Sequence, residues 1–306
     1  MTASSASDAP FLLTYLLLSS LWFFVLPSLV QPLWDTAVRR LCGGTLAGFL
    51  AYGLSATHLS MLLLGNSFFA CLYLLRPSWS ESRRSSPLQA WPWLRGAAAR
   101  SEFVSLVALA IGLTALNNSI AFLLGFANAP VFQARGLRLW AAEGWPSGLE
   151  LLAQTLLCVV AEDACFYVCH RTLHSSPLLY RTVHKLHHRW VTSISIAAEA
   201  THPLEFILGN ALPVLAGPLL LGRSCHAFTL AQWVALRVWE TVDGHSGIDL
   251  GIHPFRRLPW ASTTEGHELH HKRLSCNYGS TLLLWDGLCA TAIAGDGEEG
   301  AKKRAL

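Results

Sequence analysis

The chain has 306 residues and thirteen histidines, twelve of which fall between residues 170 and 271. Their spacing carries more information than their number. His170 and His174 stand at i and i+4 in His170-Arg171-Thr172-Leu173-His174, one helical turn apart, so both rings face one direction. His184-Lys185-Leu186-His187-His188 and His267-Glu268-Leu269-His270-His271 are both H-x-x-H-H, in which the first histidine shares a face with the last two. Each box therefore offers three nitrogen donors on one turn. His202, before Pro203, and His245, in Asp243-Gly244-His245-Ser246-Gly247, stand between the boxes as further candidates. Eight to ten imidazoles exceed the roughly four to six ligands of a single ion, and two metal ions are expected. Neutral imidazole suits zinc, copper, iron and nickel alike, so the donors alone leave the metal open. His58, His226 and His253 stand alone and are read as surface or interfacial side chains.

Ligating histidines usually donate their other N–H to a carboxylate or carbonyl. Glu162 and Asp163 lie at the end of an apolar run, where an unpaired charge is expensive. Asp163 is seven residues before His170 and so on nearly its face. Glu205 and Asp243, with Glu199 and Glu240, are further candidates to orient the rings. The plainer reading of these carboxylates is interfacial salt bridging with Arg171, Arg181 or Arg237.

The elements that must position these groups are apolar. The chain is 52% hydrophobic and only 13% charged, with a mean hydropathy of +0.39, against about 25% charged in a soluble domain. Lipid is expected to cover much of its surface. A net charge of +3 is too small and too scattered to suggest nucleic-acid binding. The eight cysteines include no C-x-x-C, and with Cys42, Cys71, Cys158, Cys165, Cys169 and Cys289 in apolar runs they are read as buried free thiols with no disulfide framework.

Apolar runs cover residues 11–30, 41–75, 103–126 and 149–168. The first is long enough to span hydrocarbon, and no Lys or Arg precedes it, so it is read as an uncleaved helix. The second is too long for one helix and short for two, and Asn117-Asn118 weaken the centre of the third. Residues 76–100 carry Arg76, Arg83, Arg84, Arg95 and Arg100 against Glu81, which marks a cytosolic loop. Two crossings from that loop return the chain to the same side at His170. Residues 204–222, interrupted by Pro213 and Pro218, and 227–242 form a hairpin or lie in one leaflet, so His245 emerges on that side too. The expected fold is an all-α integral membrane bundle of about four transmembrane helices with a cytosolic, histidine-rich di-metal catalytic cap. It divides into a membrane-helix region (1–145), a catalytic domain (146–294) and a disordered basic tail (295–306). Lys302-Lys303-Arg304-Ala305-Leu306 approximates a dilysine retrieval signal or is simply a basic tail.

In these motifs the chain resembles the fatty acid hydroxylase superfamily, also called the sterol desaturase family. The resemblance runs through Glu162-Asp163, Phe166-Tyr167, the three boxes with Tyr180, His202-Pro203-Leu204-Glu205 and Asp243 to Gly247. It continues in Asn277-Tyr278-Gly279 and Trp285-Asp286, and covers about residues 149–290. It implies a di-iron enzyme of the endoplasmic reticulum membrane that uses dioxygen and electrons from cytochrome b5 or an NAD(P)H reductase. It implies that His170, His174, His184, His187, His188, His245, His267, His270 and His271 hold the metals, with His202 as a tenth. His-Pro-Leu-Glu and Asp-x-His-Ser-Gly look most like 4-methylsterol oxidases, whereas Asn-Tyr-Gly also looks like sterol C-5 desaturases. The chain departs from the methylsterol oxidase pattern at Ile248 and in a third box that begins His-Glu, which leaves the substrate open among sterols and fatty acyl lipids.

Two readings from other classes compete with a lipid oxygenase. His267-Glu268-Leu269-His270-His271 also satisfies H-E-x-x-H, the signature of a zinc metalloprotease with Glu268 as general base. That reading leaves the other boxes unexplained. A non-catalytic membrane protein that senses metal or lipid would also hold the ions, but the three intact boxes argue against lost catalysis.

Overall fold

The computed structural model describes residues 9–293, whose regular structure is helical throughout. Five helices are long and apolar enough to cross a membrane: α1 (Ala9–Leu41), α2 (Leu46–Leu75), α3 (Ala97–Ala134), α4 (Gly148–Ser175) and α5 (Pro203–Ser224). A helix satisfies its own backbone in hydrocarbon, which is why an apolar chain adopts it there. The all-helical membrane class expected from the sequence is found, with five such helices where about four were expected. The difference is α5, which continues through Pro213 and Pro218. A π-helical turn, Phe206–Ala211, lies directly ahead of Pro213, a local rearrangement of the kind that accommodates a residue without an N–H. The awkward run 41–75 resolves in the same way. Gly43 and Gly44 adopt φ of +64 and +67, which glycine tolerates freely, so α1 ends and α2 begins within four residues.

Two further helices carry the site. α6 (Ala227–Gly244) has Trp233, Val234, Leu236 and Val238 buried on several faces, and it packs on α2 and α4 as an inner helix. α7 (Thr264–Arg273) starts at Thr263, whose hydroxyl accepts the Gly266 N–H at 2.9 Å. Small residues let the helices approach closely. A Cβ on Gly217 of α5 would stand 2.5 Å from Cys158 Cα on α4, and one on Gly65 of α2 would stand 3.0 Å from Val242 Cγ1 on α6.

The arginine-rich segment 76–100 shares one end of the bundle with the histidines. Ser85 N–H donates to Gly247 O at 3.0 Å, two residues beyond His245, and Asp249 N–H donates to Arg83 O at 2.9 Å. The crossing count had placed them together. Arg39 lies one length of α2 away and stacks over Trp140 at 4.9 Å. All eight cysteines are free, as expected, but Cys71, Cys165 and Cys289 are exposed where buried thiols were expected. The basic tail with Lys302-Lys303-Arg304 lies outside the described residues.

Candidate metal centre

Each histidine-bearing element delivers its rings to one of two groups. His170 and His174 project from the last turns of α4. A short helix, Pro177–Thr182, turns the chain into a 3₁₀ segment, His184–Arg189, that carries His184, His187 and His188. His245 follows α6, and His267, His270 and His271 lie on α7. The donor nitrogens of His170, His174, His184, His188 and His270 lie within 4.8 Å of one another, and so do those of His187, His245, His267 and His271. Both H-x-x-H-H boxes straddle the groups. His184 and His188 face the first and His187 the second, whereas His270 faces the first and His267 and His271 the second. The groups adjoin, since the rings of His188 and His271 are 4.6 Å apart between centroids.

Four rings have their tautomer fixed from behind. His170 Nδ1–H donates to Tyr278 O (2.8 Å), His184 Nδ1–H to Glu205 Oε1 (2.8 Å), His245 Nδ1–H to Thr241 O (2.8 Å) and His270 Nδ1–H to Cys276 O (2.7 Å). Their Nε2 atoms then carry bare lone pairs. Yet His184 Nε2 stands 3.1 Å from His170 Nε2, 2.8 Å from His174 Nε2 and 2.9 Å from His188 Nε2. In the second group, His245 Nε2 stands 2.8 Å from His267 Nε2 and 3.3 Å from His187 Nε2. His270 Nε2 is buried without a hydrogen-bond partner. The rings cannot relieve this crowding by protonation. Burial, then neighbouring imidazoles, hold His184, His187, His267, His270 and His271 far below the ordinary imidazole value. Burial likewise pushes His188 down to about 3 and His245 down to about 4. Neutral, converging nitrogens, with His170 Nε2 and His184 Nε2 facing each other lone pair to lone pair, are what a bound cation requires. The residues fit two ions of the imidazole-loving transition series.

Residues 155–291 match the family described as Fatty acid hydroxylase. This segment is a fatty acid hydroxylase domain. The hydroxylase domain accounts for the similarity to known proteins. Over 152 residues the chain is 37% identical to Methylsterol monooxygenase 1 of Rattus norvegicus, covering 49% of this chain and 50% of that one. It is 38% identical over 176 residues to Methylsterol monooxygenase 2-2 of Arabidopsis thaliana, covering 56% and 64%. It is also 38% identical over 165 residues to Very-long-chain aldehyde decarbonylase GL1-11 of Oryza sativa subsp. indica, covering 53% and 60%. The chain thus spans about half the length of the rat relative and under two thirds of the others. No solved structure matches it.

Around the two groups, the hydroxylase domain uses its carboxylates unequally. Of Glu162, Asp163, Glu205 and Asp243, Glu205 alone is hydrogen-bonded to a candidate ligand. Asp163 does not reach His170. Its Oδ1 accepts the N–H groups of Ser280, Thr281 and Leu282 at 2.9–3.1 Å, tying the chain after Tyr278 to α4. Glu162 pairs with Arg237 Nε at 2.9 Å and accepts from Ser280 Oγ. Asp243 pairs with Arg256 Nε at 2.7 Å, and Glu240 with Arg237 at 2.9 Å. These buried charges form an alternating chain linking α4, α6 and Arg256. For Glu162 and Glu240 the plainer reading, salt bridging with Arg237, describes the contacts.

His202 joins neither group. Its Nδ1 accepts the Leu204 N–H at 3.1 Å and caps α5 ahead of Pro203. His226 and His253 cap helices in the same manner, but both are fully buried rather than the surface or interfacial side chains expected. Three partners were not legible beforehand, namely the carbonyls of Thr241, Cys276 and Tyr278, because every residue has a carbonyl. Asp286 holds one of them in place by accepting the N–H groups of Tyr278 at 2.8 Å and Gly279 at 2.6 Å.

Proposed function

We propose that this protein is a di-iron lipid oxygenase of the endoplasmic reticulum membrane, with its histidines facing the cytosol and a sterol as its substrate. Nine residues would hold the ions: His170, His174, His184, His188 and His270 at one position, and His187, His245, His267 and His271 at the other. The observation that carries the reading is the convergence of nine imidazole nitrogens in two adjoining groups, with the bare Nε2 lone pairs of His170 and His184 only 3.1 Å apart. Such iron supplies the reductive activation of dioxygen needed to oxidise an unactivated C–H bond. In the overall reaction one oxygen atom enters the C–H bond and the other leaves as water, consuming two electrons and two protons. The electrons would come from a separate protein such as cytochrome b5 or a reductase. The names of the relatives, methylsterol monooxygenase and very-long-chain aldehyde decarbonylase, support a lipid substrate.

The chain's own residues set the conditions for that chemistry. Glu205 and the carbonyls of Thr241, Cys276 and Tyr278 keep four rings aimed inward. Burial keeps the rings neutral. A cavity lined by His170, His187, His245, Arg237 and Glu240 gives access to both groups.

The zinc protease reading fails on Glu268. Its carboxylate turns away from the nitrogens and accepts from Ser85 Oγ, Ser86 Oγ (2.6 Å) and Lys272 Nζ (2.8 Å). A general base must reach the attacking water. The test of the proposed activity is the lipid profile of cells lacking the protein, rescued by wild type or by His174→Ala. A precursor lipid that accumulates, and that only wild type clears, is the expected result. Identical profiles in the presence and absence of the protein would refute the proposal.

A further inference from the structure

A hydrogen-bonded pair of ionisable side chains, His58 and Glu199, lies outside both histidine groups. His58, midway along α2, places Nε2 2.5 Å from Glu199 Oε1 and Nδ1 2.9 Å from Asn118 Oδ1 on α3. Asn118 has its orientation fixed, because its Nδ2 donates to Thr114 O at 2.9 Å. Its Oδ1 is therefore the acceptor, His58 Nδ1 is the donor, and the 2.5 Å contact to Glu199 holds a second proton. Ionisable groups within a membrane are costly and mark sites where ligands or ions are handled.

The pair opens on a cleft with a largely aliphatic wall. Glu199 is 9% exposed, and its Oε2 is buried without a hydrogen-bond partner. A merely structural tether would not need that oxygen, since Asn117 already ties this loop to α3 through Thr201 O at 3.1 Å. The cleft adjoins the cavity over the histidines, because Asn210, Arg237 and Thr241 line both. Thr241 also carries the carbonyl that orients His245.

We propose that this cleft binds a lipid alcohol, whose hydroxyl donates to Glu199 Oε2 while its apolar body runs along the aliphatic wall toward Thr241. Both ring nitrogens of His58 are engaged, so the pair offers an acceptor alone and selects a donor. A neutral hydroxyl is the donor least costly to bring into an apolar cleft. The inference rests on the lipid oxygenase reading and deepens it by naming the group recognised.

The test is equilibrium binding to the purified full chain in nanodiscs, using two matched pairs of probes: cholesterol with its methyl ether, and octadecanol with its methyl ether. At least one alcohol should bind about tenfold more tightly than its ether, as a hydrogen bond to a carboxylate allows. Glu199→Ala should remove that preference and leave ether affinity unchanged, which also shows the variant to be folded. Should Glu199→Ala lose ether binding as well, Glu199→Met, which keeps the volume and removes the acceptor, should bring alcohol and ether to within about threefold. The proposal is overturned if neither alcohol outbinds its ether, or if the preference survives both substitutions. The readout needs neither turnover nor iron. A missing preference with both ions bound refutes this inference alone, whereas a preserved preference without ions refutes the oxygenase reading alone.

Discussion

Glu205 accepts the Nδ1–H of His184 across 2.8 Å, with both side chains almost wholly buried. That single bond sets the tautomer of His184 and turns its Nε2 toward His170, His174 and His188. Removing it frees the ring to rotate and lowers its basicity. Outer partners of this kind are worth about 10–100-fold in metal affinity. Glu205→Ala should lose affinity in that range, and Glu205→Gln, which can still accept the proton, should lose less. Chelator titration followed by elemental analysis measures both. Retention by Glu205→Ala equal to wild type would show that the ring is held by something else.

His202 and His174 make a contrasting pair. His202 caps α5 and points into neither group, so His202→Ala should keep both ions and lose about 1 kcal/mol of stability or less. His174 Nε2 lies 2.8 Å from His184 Nε2 and 3.2 Å from His188 Nε2. His174→Ala should therefore empty the first position and leave the second filled. Metal content per chain separates the two outcomes, and a loss of ions in His202→Ala would return that residue to the ligand set.

Much of this centre was legible in the sequence. The boxes stood out because ligand spacing is local, and a turn of helix fixes which rings lie side by side. The division of each box between two groups was not legible. It depends on where α4, α6 and α7 arrive, which is set by packing over long separations. The same limit hid the role of Asp163. It lies on the face of His170, but the Ser280–Leu282 amides reach it first. It also hid the pairing of His58 with Glu199, and Asn117-Asn118 read as a flaw in α3 when they are its polar contacts to Glu199, Thr201 and His58. The extra membrane helix was missed because prolines were weighed as breaks, although a π-helical turn lets α5 continue.

Glu268 joins α7 to the arginine-rich segment through Ser85, Ser86 and Lys272. Glu268→Gln should keep both ions and most lipid turnover, because the carboxylate faces away from the metals. It should also loosen the loop near residue 86, read as faster amide exchange there. Complete loss of activity with both ions bound would revive the general-base role.

Stability of the metal-free protein should fall with acid. Free histidine titrates near 6.5, whereas burial pushes His188 down to about 3 and His245 down to about 4. Below 6.5 the unfolded chain therefore binds more protons than the folded one, and stability drops as pH falls toward 4. Bound ions hold the rings neutral and should resist this decline. Thermal melts of metal-free and metal-loaded protein at pH 7.5 and 5.5 should diverge at the lower pH. Parallel shifts in the two forms would show that the ions are not bound to these rings.

The most direct measurement is elemental analysis of the full chain purified from iron-replete cells, expressed as ions per polypeptide. Two iron atoms per chain are predicted, falling to one in His174→Ala. One ion or none in the wild type, or zinc in place of iron, would contradict the account.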